Sequence, residues 1–190
     1  MAIDQSLARW VSILAHPFVM VTLLVTGAAT RQPSPNAVRS VLLVLLAIVL
    51  PVAALMVRQV RRARWSNVDA SDASERPMLF MVSMAGLAAA LAWLLLNDPQ
   101  SFLVRGLLVS GGFILLAAVV TRWVKLSLHV AFAALTASAL SLIGSPIGTA
   151  LIAVVPIVAW SRLTLARHTA HEVLIGLMLG ILTGIVLARF

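Results

Sequence analysis

The 190 residues are 62% hydrophobic and only 11% charged, with a mean hydropathy of +1.07, which is more apolar sequence than a soluble core of this size can bury. The chain therefore reads as an integral membrane protein. Its net charge of +8 does not imply nucleic acid, because the basic residues sit at the ends of apolar segments, where membrane phosphates and topology account for them. The absence of cysteine removes disulfides, thiolate catalysis and Cys-ligated metals.

Taken in chain order, the N-terminal MAIDQSLARW holds a single Arg, and no small-residue cleavage site follows its apolar run, so the first hydrophobic stretch is expected to be a retained span and not a cleaved signal. Spanning a bilayer takes about 17 to 25 apolar residues. Runs of this kind are predicted at 10–29, 38–57, 78–96, 102–121, 127–143, 148–160 and 173–187. The sixth is short and contains Pro156, so the count is seven spans, or six without it. Continuous apolar runs do not alternate as barrel strands do, and in lipid only helices or closed barrels satisfy the backbone. An all-α, polytopic transmembrane helical bundle is expected, forming one domain over 1–190. Connectors at 31–37, 97–101 and 144–147 carry Pro, Asn, Asp and Gly and read as compact turns.

Numbering the spans puts the polar segments 58–77, 122–126 and 161–172 on one face of the membrane. That face holds ten Lys and Arg against four on the other, which by the positive-inside rule places it in the cytoplasm. The bias rests chiefly on Arg58 to Arg64, a topology determinant or anionic-lipid patch. Trp10, Trp65, Trp123 and Trp160 fall near helix ends on this face and read as an interfacial aromatic belt. Gly176, Gly180 and Gly184 give the last helix a smooth side for close packing.

The polar face concentrates the chemistry. The first segment offers Asp69, Asp72, Glu75 and Arg76-Pro77, the second Lys125, Ser127 and His129, and the third Ser161, Arg162, Arg167, His168, His171 and Glu172. On a helix Glu172 lies one turn beyond His168 on the same face, where a carboxylate can hold an imidazole in one tautomer. Two histidines from separate helices suit a nucleophile and an acid/base partner, and several cations suit a phosphoryl group. Asp69, Asp72 and Glu75 lie beside Ser71 and Ser74 with no calcium-loop spacing, so capping and solvation explain them and no metal is expected. His171 points away from His168 and is expected at the interface; His16, before Pro17, is expected to make a local polar contact.

These residues resemble the type 2 phosphatidic acid phosphatase (PAP2) superfamily. Its third motif, Ser-Arg, five residues, His, three residues, Asp, is matched by Ser161-Arg162, His168 and Glu172, with Glu in the Asp place. Its second, Pro-Ser-Gly-His, is approximated by Leu126-Ser127-Leu128-His129. Its first, Lys, six residues, Arg-Pro, keeps Arg76-Pro77 but has Asp69 at the Lys position. The resemblance covers about 58–187 and implies a PAP2-like core over 58–190 preceded by two N-terminal helices over 1–57.

The resemblance further implies that His168 attacks phosphorus to form a phosphohistidine, that Glu172 holds the other ring nitrogen, and that His129 protonates the leaving oxygen and later activates water. Arg76, Ser127 and Arg162 would bind the non-bridging oxygens, with Lys125 or Arg64 a substitute for the missing Lys. The implied substrate is a lipid phosphate or pyrophosphate: a polyprenyl phosphate or pyrophosphate, phosphatidylglycerol phosphate or phosphatidic acid. No cofactor is implied, and the implied setting is a multi-pass protein of a bacterial inner membrane. Two departures, Asp69 and Leu128, support an alternative: a catalytically inactive relative that binds anionic lipid or a membrane partner. In the purely structural alternative, His168 and Glu172 cap an interfacial helix and His129 is hydrogen-bonded inside the bundle.

Overall fold

The computed structural model describes residues 2–31, 36–67 and 72–189. All regular structure among them is helical: α1 (Ala2–Leu14), α2 (Pro17–Ala29), α3 (Ala37–Arg61), α4 (Arg76–Asn97), α5 (Phe102–Val120), α6 (Leu128–Leu142), α7 (Pro146–Thr164) and α8 (Ala170–Arg189), with a 3₁₀ turn at Ala73–Glu75. Five of these (α3, α4 extended by its 3₁₀ turn, α5, α7 and α8) are each long and apolar enough to cross a membrane, and α1 with α2 makes a sixth if the bent pair counts as one span. Helix α6 has 15 residues and a length of about 22 Å, short of a bilayer core. Pro156 does not interrupt α7, which runs for 19 residues.

The first apolar run, expected as one span over 10–29, is two helices bent by 43°. The cause is local. Pro17 lacks an N–H and excludes the residue before it from helical geometry, and His16 accordingly sits at φ −59, ψ 142. Pro17 then becomes the first residue of α2, with the His16 Nδ1 accepting the Phe18 N–H at 3.2 Å.

The chain divides into two compact units, residues 1–32 with 124–190 and residues 33–123. In the first, α6 is the central helix, packed by α2, α7 and α8, while α1 lies on α7. Its Ala-rich sequence lets it be buried on nearly every side: Ala131, Ala133, Ala134, Ala137 and Ala139 are all inaccessible or nearly so. The glycine stripe of α8 faces it. A Cβ at Gly176, Gly180 or Gly184 would collide with the backbone carbonyl of Ser127, Ala131 or Leu135, so the two backbones touch, as small residues permit in lipid. Thr136, which would leave a polar group in this interior, donates its hydroxyl to the Met20 carbonyl at 3.1 Å.

The second unit packs α4 between α3 and α5. Gly86 of α4 admits the Ala47 carbonyl of α3, and Ser40 lies 3.3 Å from Asp98 at the far end. Trp10 and Trp123 are exposed and Trp160 borders on it, in keeping with an aromatic belt, but Trp65 is 7% exposed and does not belong to it. Ala63, in the left-handed region at φ 52, turns the chain back at the end of α3, and the Trp65 N–H then reaches the Gln59 carbonyl.

Candidate active site

The third polar segment is built from two helix ends. Helix α7 stops in a Schellman turn: Arg167 N–H donates to the Arg162 carbonyl, Ala166 N–H to the Leu163 carbonyl, and Ala166 takes φ 51. Three residues later a capping box opens α8. Thr169 Oγ1 accepts the Glu172 N–H at 3.3 Å and Glu172 Oε2 accepts the Thr169 N–H at 3.2 Å. His168 is held between these two turns.

The ring of His168 is buried, with its side chain 3% exposed, and its Nδ1 lies 2.9 Å from Glu172 Oε2 and 3.1 Å from the Lys125 carbonyl. A carboxylate and a carbonyl only accept, so Nδ1 carries the proton and, in the neutral ring, Nε2 carries the lone pair. The tautomer a nucleophilic imidazole requires is set by two acceptors from separate segments.

The second motif reaches the same place through α6. Ser127 N–H donates to the Glu172 carbonyl at 3.1 Å, tying the start of α6 to the first turn of α8. Ser127 is fully buried, and its Oγ has no hydrogen-bond partner among the described residues. Helix α6 also opens without a side-chain cap, so the positive end of its dipole is not met by a side-chain acceptor. Leu128 enters the helix with ordinary dihedrals, since only Ala63, Ala166 and Gly144 show positive φ among the described residues. The dihedral freedom of a glycine is not needed there. His129, 4% exposed, follows in the first turn of α6, and its ring meets that of His16 edge-on, centroids 5.4 Å apart.

Arg162, 1% exposed, donates from NH1 to Ser12 Oγ at 2.5 Å, and its neighbour Ser161 donates to the Ala8 carbonyl at 2.6 Å. His171 is exposed. The first unit thus gathers His168, Glu172, Ser127, His129 and the Lys125 backbone at one end, with Arg162 joined through the turn after α7.

Arg76 belongs to the second unit, where it is buried as the first residue of α4 ahead of Pro77. Glu75 Oε2 accepts the Asp72 N–H at 3.2 Å and its Oε1 accepts the Ser66 N–H at 2.9 Å, so both oxygens of this carboxylate serve the turn, as its position beside α4 suggests. Asp69 and Ser71 lie outside the described residues. The same end of this unit bears a groove of about 570 Å³, mostly apolar, bordered by Phe80, Met84, Leu115, Thr121 and Arg122.

Three contributors had no place in the motif pattern. The Lys125 carbonyl holds the His168 ring, a role separate from the phosphate binding expected of its ammonium; Ser12 and His16 come from a segment more than a hundred residues away in sequence, which spacing alone cannot connect. Thr169 did carry a signal, the Thr-x-x-Glu capping pattern before an apolar run. Compared with protein-family models, curated proteins and solved structures, the chain matches none of them. The functional reading therefore rests on residues and geometry.

Proposed function

We propose that this protein is a membrane lipid phosphate or pyrophosphate phosphatase working through a phosphohistidine. The observation that carries the reading is the buried His168 with Nδ1–H fixed by Glu172 and the Lys125 carbonyl, beside a helix start that presents a terminus without a side-chain cap and a Ser127 hydroxyl with no partner among the described residues. An anion is what a positive helix end and a free hydroxyl donor attract.

In the proposed reaction the His168 Nε2 lone pair attacks phosphorus as the bond to the leaving oxygen breaks. His129 gives that oxygen its proton, releasing the lipid alcohol, or the lipid monophosphate from a pyrophosphate. Glu172 stabilises the positive charge that develops on the His168 ring. His129 then takes a proton from water, whose oxygen attacks the phosphohistidine, freeing inorganic phosphate and restoring His168. Arg162, Ser127 and Lys125 bind the non-bridging oxygens. Uncatalysed phosphate-monoester hydrolysis is slow enough to need an acceleration on the order of 10²¹-fold, which positioning and charge stabilisation of this kind supply. The apolar helices suit an amphiphilic substrate drawn from the bilayer, with phosphatidic acid, phosphatidylglycerol phosphate and polyprenyl phosphates or pyrophosphates as candidates, in a bacterial inner membrane with the motif face cytoplasmic.

A second reading is favoured by the capping box. Glu172 has a complete structural task in pairing with Thr169, and Arg162 is engaged by Ser12, as expected of a non-catalytic relative that keeps the fold to bind anionic lipid or a membrane partner. Phosphate release from a panel of lipid phosphates, measured with EDTA for the purified parent and His168→Ala, separates the two. The phosphatase reading expects release by the parent alone. Release by neither, or equally by both, overturns it.

A further inference from the structure

The N-terminal segment lies outside the stretch that resembles a phosphatase, yet three of its contacts go to motif residues. Ala8 accepts the Ser161 hydroxyl, Ser12 accepts from Arg162, and the His16 ring abuts His129. Positions 8, 12 and 16 are four apart, so the first two share one face of α1 and the third continues its line at the break. That face is small and buried, Ala8 wholly and Ser12 nearly so, which lets α1 approach α7 closely enough for side chain to meet backbone. The opposite face, with Leu7, Trp10 and Leu14, is exposed.

The break itself fixes His16. Because its Nδ1 accepts the Phe18 N–H at 3.2 Å, that nitrogen holds a lone pair and the proton of the neutral ring is on Nε2. Capping α2 thereby sets both the orientation and the tautomer of His16, and the ring stands at 88° to that of His129. A planar neighbour pinned at 5.4 Å limits the rotamers open to His129.

We propose that the broken N-terminal span is a positioning scaffold for the site, in which Ser12 orients the Arg162 guanidinium and His16 orients the His129 ring. The inference rests on the phosphatase reading for its functional meaning. Ser12 and His16 are positioning residues; neither touches the reacting atoms. Arg162 fixed by a hydroxyl is ready to bind phosphate without first losing side-chain freedom, and a misplaced group near the chemistry can cost up to about a hundredfold in rate.

The test uses the full-length protein in nanodiscs. Asn caps a helix as well as any residue, so His16→Asn keeps the start of α2 while removing the ring that meets His129 and Phe18. In ¹⁵N-histidine NMR the His129 ring nitrogens should shift in His16→Asn while those of His168 stay in place. With phosphatidic acid as substrate, His16→Asn should lower kcat roughly tenfold at unchanged KM, whereas Ser12→Ala should raise KM roughly tenfold and Ser12→Thr restore it. Orthovanadate binding, which needs no turnover, should weaken in Ser12→Ala by about the same factor as KM rises. Unmoved His129 signals together with unchanged vanadate affinity would overturn the scaffold. A parent that releases no phosphate while those two readouts respond as stated removes the phosphatase reading and leaves the scaffold standing.

Discussion

The loop before α4 and the loop before α8 are assembled from the same two devices and end in different chemistry. Each begins with a Schellman turn carrying alanine in the left-handed position, Ala63 after α3 and Ala166 after α7. Each closes with a carboxylate that turns back onto the residue three before it, Glu75 onto Asp72 and Glu172 onto Thr169. The second oxygen and the length of the loop make the difference. Glu75 spends its other oxygen on the Ser66 amide nine residues back, so it is used up in holding a long connection. In the short loop only Arg167 and His168 separate the two caps, and the same Glu172 oxygen that caps α8 also accepts from the imidazole. A cap becomes a candidate catalytic dyad when a histidine stands four residues before it and the loop is too short to take the ring elsewhere.

The largest effect should come from breaking that dual use. Glutamine still serves a capping box, so Glu172→Gln keeps the cap and removes the charge that stabilises an imidazolium. Phosphate release should fall by about 10²-fold or more with the thermal midpoint nearly unchanged, while Glu75→Gln leaves turnover within about twofold, since acid–base and orienting groups are worth on the order of 10² to 10⁴. Equal effects of the two substitutions in a turnover assay would erase the distinction between the loops.

Capping alone is read by Thr169→Ala. It should cost about 1 kcal/mol in thermal or denaturant unfolding with far less loss of activity than Glu172→Gln, and Thr169→Ser should restore the difference. The left-handed alanines offer the smallest stability effect, in the opposite direction. Ala63→Gly and Ala166→Gly should each raise stability by up to about 1 kcal/mol, because glycine adopts positive φ without steric cost. A loss at Ala166 alone would mean that its methyl group helps hold His168. Last, single cysteines at Asn67 and Gln100, at opposite ends of α4, should differ in labelling by an impermeant maleimide in intact cells. The charge bias predicts that Asn67→Cys is protected and Gln100→Cys labelled; the reverse pattern places the motif segments outside.

Much of the architecture was legible because apolar length is a strong signal in a membrane protein. The runs beginning near Val38, Met78, Phe102 and Val173 became α3, α4, α5 and α8 within a few residues, and the connectors at 97–101 and 144–147 mark short turns between helices, while most of 31–37 lies outside the described residues. The run from Trp10 misled because hydropathy is blind to Pro17, whose backbone effect splits an otherwise continuous apolar stretch. Trp65 misled for a related reason: its place in sequence, just past α3, fits an interface, but the reversal at Ala63 takes it into a buried position. At the candidate site the pairing of His168 with Glu172 was readable from spacing, being local, but not as two positions on one helix: α8 begins at Ala170, and His168 meets Glu172 from the turn before it. The Lys125 carbonyl was not readable, since every residue has one. Ser12 and His16 were beyond reach because their partners lie 150 and 113 positions away, and only packing of α1 and α2 brings them together.

The central claim is that His168 is a nucleophile, and trapping its phosphorylated form tests it most directly. The parent protein, mixed with ³²P-labelled phosphatidic acid or polyprenyl pyrophosphate and quenched in alkali within one turnover, should carry an acid-labile phosphoryl group that peptide mapping places on His168 and that His168→Ala lacks. Turnover with no labelled protein, or a label that survives in His168→Ala, would contradict the account.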